Sequence, residues 1–240
     1  MAPRHRLGIY NPMISSDLKI LGLAFLGGIL PSLLWLWFWL KEDKKKPEPK
    51  GILAIVFIMG AIAVVCVLPI QKLIQNSINS ENWQLVFWAS AEEIVKYLAV
   101  LVILYKTTHA EEPLDWPIYF ITAALGFATL ENALFLIKPL SAGENTVSLL
   151  TEGLRFLGST LLHTVSSGIW GVAIGISIHM EGFKRKIYFI VGLIFAIALH
   201  SVFNFFIIRN KGGDFLKVFA FLWVVTIIVM LLFEKVRRID

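Results

Sequence analysis

The stretch GILAIVFIMGAIAVVCVLPI, residues 51–70, runs for twenty positions without a charged side chain. A helix rises about 1.5 Å per residue, so such a run spans about 30 Å, the thickness of a bilayer's hydrocarbon core. Working outward from it, comparable apolar runs occur at approximately 18–40, 84–105, 116–137, 155–179, 187–208 and 214–233, making seven in all. Short charged loops separate them. The chain is 57% hydrophobic and 16% charged, with a mean hydropathy of +0.74, against about 45–50% and about 25% in soluble domains. A single small core cannot hide several twenty-residue apolar helices from water, whereas lipid solvates them. The expected fold is an all-α, polytopic transmembrane bundle of about seven membrane-spanning helices, forming one membrane-embedded domain over residues 1–240.

Other classes drop out on composition. The net charge of +5 invites nucleic acid as a partner, but the basic residues sit in membrane-flanking loops, where they orient helices instead. The lone cysteine, Cys66, cannot form an intrachain disulfide or a Cys-pair metal site, and its place within an apolar run reads as packing. The first run is too long for a signal-peptide core and is expected to be retained. Trp35, Trp37 and Trp39 close it, as interfacial aromatics commonly do. With seven spans the loops alternate sides. One side collects twelve Lys and Arg, the other six, or eight with the helix-end residues Lys19 and Arg155. The excess of positive charge inside places the N-terminus outside and the C-terminus in the cytoplasm.

The ionisable residues inside the runs are few: Glu92, Glu93, Lys96, Glu131, Arg155, His163, His179 and His200, besides Lys19 at an edge. Each charge costs at least about 2.5–3.5 kcal/mol to place in a bilayer, so such residues point to function. Glu92 and His163 are the ninth residues of runs entering from one side. Glu131 and His200 are the seventh and ninth from the ends of runs leaving on that side. All four therefore lie about 9–12 Å below the same boundary, whichever way the protein is inserted.

Local spacing adds detail. Glu92 and Lys96 are one turn apart and suited to an ion pair. Glu92 and Glu93 diverge by about 100° around the axis, so one faces the site and the other a neighbouring helix or donor. His200 and Asn204 are also one turn apart. Ser167, Gly171 and Gly175 form a small-residue stripe beyond His163 that permits close packing. Each residue alone has a plain structural reading: an ion pair, a hydrogen-bonded interior histidine, an inter-helix amide, or a snorkelling end residue for Arg155 and His179. Their shared layer is what argues for chemistry.

Two mechanisms fit this inventory. In one, Glu92 acts as general base on water, with His163, His200 and Asn204 steadying the water and the developing oxyanion. In the other, His163, His200 and Glu131 hold one divalent metal such as zinc with an open position, leaving Glu92 as base. Both hydrolyse an amide.

EEIVKY (Glu92, Glu93, Lys96) resembles the EExxK signature of PrsW-type intramembrane proteases. GFATLENALF with Glu131 and Asn132, RFLGSTLLH with Arg155 and His163, and HSVFN with His200 and Asn204 are similar to the family's following elements, in order, over about residues 84–208. The resemblance implies a membrane-embedded peptidase related to prenyl-protein proteases and bacteriocin-immunity proteins, in a bacterial or archaeal plasma membrane. Its substrate would be a membrane-anchored protein such as an anti-sigma factor, cut near the extracytoplasmic face. The family is described both as metalloprotease and as glutamic protease, so the metal stays open. A proton- or cation-coupled transporter is the rival reading, since intramembrane Glu, His and Lys also build ion pathways. It would be expected to show interrupted helices, for which Gly27–Gly28 and Pro31 offer a place. A non-catalytic scaffold or immunity protein is the third.

Overall fold

The computed structural model describes residues 18–41, 46–105, 107, 110–142, 146–209 and 215–239, with the backbone alone at 146–156, 208, 209 and 215. The described residues form seven helices and no strand: α1 (Leu18–Leu40), α2 (Lys50–Ser77), α3 (Glu81–Leu104), α4 (Asp115–Ser141), α5 (Thr146–Ser177), α6 (Gly182–Arg209) and α7 (Phe215–Arg237). Six are long and apolar enough to cross a membrane. The exception is α3, which carries Glu92, Glu93 and Lys96 within its 24 residues. Several helices outrun the apolar stretches that announce them: α2 continues seven residues beyond Ile70, and α5 starts nine before Arg155.

The core lies around α4, which packs against α1, α2, α3 and α5. From Pro117 to Thr129 every residue of α4 is buried. The outer helices instead present Leu, Ile, Val and Phe outward, among them Leu30, Ile58, Ile194 and Val224, as lipid-facing surfaces do. The α1 helix is continuous through Gly27, Gly28 and Pro31, so the interruption that a transporter would favour is absent there. At the first residue of α6, Gly182 takes a φ of +58° that a residue with a Cβ rarely adopts.

Without a hydrophobic drive between helices in lipid, close backbone approach supplies much of the packing. A Cβ on Gly60 would run into the carbonyl oxygen of Ala123, and one on Gly126 into that of Phe57, so α2 and α4 touch through reciprocal glycines. Gly171, in the stripe read from the sequence, meets Pro117 in the same manner. Many hydroxyls in the bundle are spent locally: Thr122, Thr129, Thr164, Ser201 and Thr226 each donate to the carbonyl four residues back. At the end of the bundle away from the Glu–His layer, Tyr119 donates to Glu48 and Lys46 pairs with Glu112, joining the α1–α2 and α3–α4 connections.

Gly60→Ala and Gly126→Ala are each expected to destabilise the protein by about 1–3 kcal/mol through overpacking. Gly22→Ala, with nothing within 4 Å of the added methyl, should leave the unfolding temperature in detergent unchanged. Equal melting of all three variants would contradict the α2–α4 contact.

Candidate active site

Four helices deliver the polar layer. Glu92, Glu93 and Lys96 come from α3, Glu131 from α4, His163 from α5 and His200 from α6. All but Glu131 are buried, and Glu131, 18% exposed at its side chain, stands at the rim. The alternation of helix direction does bring these residues level, because they touch.

Glu93 is the hub. It is fully buried and accepts from Lys96 Nζ at 2.6 Å, His200 Nδ1 at 2.9 Å and Ser166 Oγ at 3.1 Å on Oε1, and from Ser167 Oγ at 2.7 Å on Oε2. The ion pair expected between Glu92 and Lys96 is therefore replaced by one between Glu93 and Lys96. Residues three apart on a helix are neighbours as much as those four apart, and Glu93 faces α5 and α6, where the further donors are. Unlike the buried hydroxyls of Thr122, Thr129, Thr164 and Thr226, those of Ser166 and Ser167 reach across to another helix.

These contacts give the two imidazoles different partners. Lys96 Nζ lies 2.9 Å from His163 Nδ1. An ammonium only donates, so Nδ1 accepts and the ring proton sits on Nε2, which donates to Glu131 Oε2 at 2.7 Å. At His200 the order reverses. Nδ1 donates to Glu93, and Nε2 lies 3.4 Å from Glu92 Oε2. The two rings stand nearly perpendicular, with centroids 5.0 Å apart. Phe127 closes one side, 5.3 Å from the His163 ring and 4.9 Å from the Lys96 ammonium.

Glu92 differs from its neighbour. Gln71, from α2, donates to its Oε1 at 2.8 Å, while its Oε2 is buried with no hydrogen-bond partner among the described residues. Sequence reasoning missed Gln71, because a search for charges passes over an amide and because the apolar run stops just short of it. Asn204 is half-buried one turn beyond His200 and makes no hydrogen bond to a described residue. Asn132, next to Glu131, is fully buried and donates to Thr160. Arg155 is on α5, but its side chain lies outside the described residues.

The fold and site together define a multi-pass integral membrane protein with a buried carboxylate–imidazole centre. Residues 48–233 match the profile of the PrsW family intramembrane metalloprotease, and the chain belongs to that family. It is 30% identical over 191 residues to Protease PrsW of Clostridioides difficile, covering 75% of this chain and 77% of that protein. It is 26% identical over 204 residues to Protease PrsW of Geobacillus kaustophilus, covering 82% and 85%. The match to Protease PrsW of Shouchella clausii is 25% over 225 residues, covering 89% and 95%. No solved structure matches. These relationships support an intramembrane protease over a transporter.

The family's description raises a metal. Glu92, His163 and His200 each offer a ligand atom within 4.8 Å of the others. Two imidazoles and a carboxylate form a donor set of catalytic zinc sites, and the unpartnered Glu92 Oε2 lies among them. The set fits a divalent ion in donor type and spacing, with Glu92 where the sequence suggested Glu131. Glu93 already holds the far nitrogen of His200, as carboxylates commonly do for metal-bound histidines. At His163 both nitrogens are engaged, so an ion there would displace either Glu131 or Lys96.

Lys96→Ala should cost about 3–5 kcal/mol, because it strands the buried Glu93 carboxylate. Reduced yield and a lowered unfolding temperature are the expected signs. A Lys96→Ala protein as stable as the wild type would contradict the central pair.

Proposed function

We propose that this peptidase cleaves a membrane-anchored protein by activating water at Glu92, within a catalytic core of about residues 84–208. The observation that carries the reading is the juxtaposition of Glu92 Oε2 and His200 Nε2, 3.4 Å apart in a buried layer. A water molecule can donate one proton to each. As its oxygen attacks the peptide carbonyl, Glu92 takes a proton as general base. His200 holds the other proton and is itself held by Glu93. The negative charge developing on the carbonyl oxygen requires donors. His163 Nε2–H is one and the Asn204 amide is the second. Glu131 keeps the His163 donor at the rim until the substrate oxygen takes it over. The proton on Glu92 then passes to the leaving amine. Lys96 and Glu93 act through the histidines they orient.

Glu92, His163 and His200 would hold a divalent ion if the enzyme uses one, and the ion would supply Lewis-acid polarisation of water or carbonyl. Loop charge supports an outside N-terminus and a cytoplasmic C-terminus, which puts the layer nearer the extracytoplasmic face. A membrane-anchored protein with a cleavage point near that face is the substrate class that follows, and the family resemblance points to an anti-sigma factor as an example.

Glu92→Gln and His163→Ala should each lower kcat by at least about 100-fold while the protein stays folded. Asn204→Ala is expected to reduce kcat by about 10–1,000-fold. Near-normal turnover in any of them would remove that residue from the scheme. Metal analysis of the same samples, with and without a chelator, separates the two chemistries. Activity indifferent to chelation with no bound metal assigns the work to Glu92 alone, whereas joint loss of activity and one zinc per chain assigns it to a metal centre.

A further inference from the structure

We propose that Gln71 is a positioning residue for Glu92, and that the last two turns of α2 form part of the active site's wall. The inference rests on Glu92 being the base. Its starting point is the asymmetry of that carboxylate. Gln71 Nε2 holds Oε1 at 2.8 Å, and Oε2 is left facing His200 Nε2. A carboxylate tied at neither oxygen can turn about its terminal bond and present its lone pairs in many directions. One fixed donor selects the orientation in which Oε2 meets the water.

The placement of Gln71 is itself built. Pro69 lacks the N–H that would continue the α2 ladder, so the helix is weakened two residues before Gln71. Beyond that point α3 holds the chain. Trp88 Nε1 donates to the Gln71 carbonyl at 3.1 Å, and Gln84, itself buried, donates to the Ile78 carbonyl at 2.6 Å and the Gln75 carbonyl at 3.4 Å. Trp88 and Gln84 lie one and two turns before Glu92 on the same helix. The helix that carries the base thus also fixes the amide that aims it, and the two move as a unit. Because Gln71 touches Glu92 rather than the scissile bond, its loss should act on turnover and leave substrate binding alone.

The test is a four-member set: wild type, Gln71→Met, Glu92→Met and the double variant. Methionine keeps the length of both side chains and removes only the polar atoms. Each is assayed for cleavage of a single-span test substrate with a small-residue juxtamembrane segment, and for thermal unfolding in detergent. Gln71→Met should lose kcat about tenfold or more, the worth of a hydrogen bond to a charged group, with KM within twofold of wild type. Its effect on unfolding should be large when Glu92 is present and small when it is added to Glu92→Met, since coupled sites are non-additive. Wild-type kcat in Gln71→Met beside an inactive Glu92→Met overturns the positioning role alone. Activity in Glu92→Met overturns the base, and the positioning role with it. Additive changes in unfolding temperature overturn the contact whether or not the test substrate is cut.

Discussion

Glu93 has no exposed surface and sits among membrane-spanning helices, yet it is the most heavily hydrogen-bonded carboxylate in the described structure, with donors from α3, α5 and α6. An isolated charge at such depth would be prohibitive, and a lone ion pair only partly relieves the cost. Four donors on two oxygens do relieve it, and they require three helices to meet at one point. Gly192 of α6, where an added Cβ would meet Ala173 and Trp170 of α5, provides part of the close approach that lets them meet. The packing and the polar layer are thus two sides of one constraint.

The same carboxylate makes the two histidines unlike each other. Lys96, its ion-pair partner, faces His163 Nδ1, whereas Glu93 itself takes the Nδ1–H of His200. Two adjacent glutamates are separated just as sharply. Glu93 is saturated and can offer nothing to a substrate, while Glu92 keeps an oxygen without a partner among the described residues. The network around Glu93 thus gives chemically identical side chains different partners.

Much of this was legible in the sequence because two periodicities reinforce each other. Apolar runs of about twenty residues give the helices, and strict alternation of direction makes Glu92, Glu131, His163 and His200 level. Less legible was the assignment of partners. Glu92 and Glu93 both have Lys96 within reach, and only the placement of Ser166, Ser167 and His200 on other helices decides for Glu93. The roles of Gln71 and Ser166 were hidden for a related reason. Neither carries a charge that would be conspicuous in lipid, and serine in a membrane helix ordinarily satisfies itself on its own backbone, as Ser201 does here. The extension of α2 past Ile70 was obscured by Pro69 and by the polar residues that follow it.

The pairing of Glu93 with Lys96 inside α3 has a consequence for how the chain is made. The other donors to Glu93 lie 73, 74 and 107 residues further along, so they do not yet exist when α3 leaves the ribosome. A helix that had to wait for them would carry two carboxylates and an ammonium into the insertion machinery unrelieved. Because Lys96 is three residues from Glu93, the nascent segment brings its own counter-ion, and the stretch from Gln84 to Leu104 carries one net negative charge. The contact internal to α3 is thus available from the start, and the network around Glu93 is completed only when α5 and α6 arrive to join it.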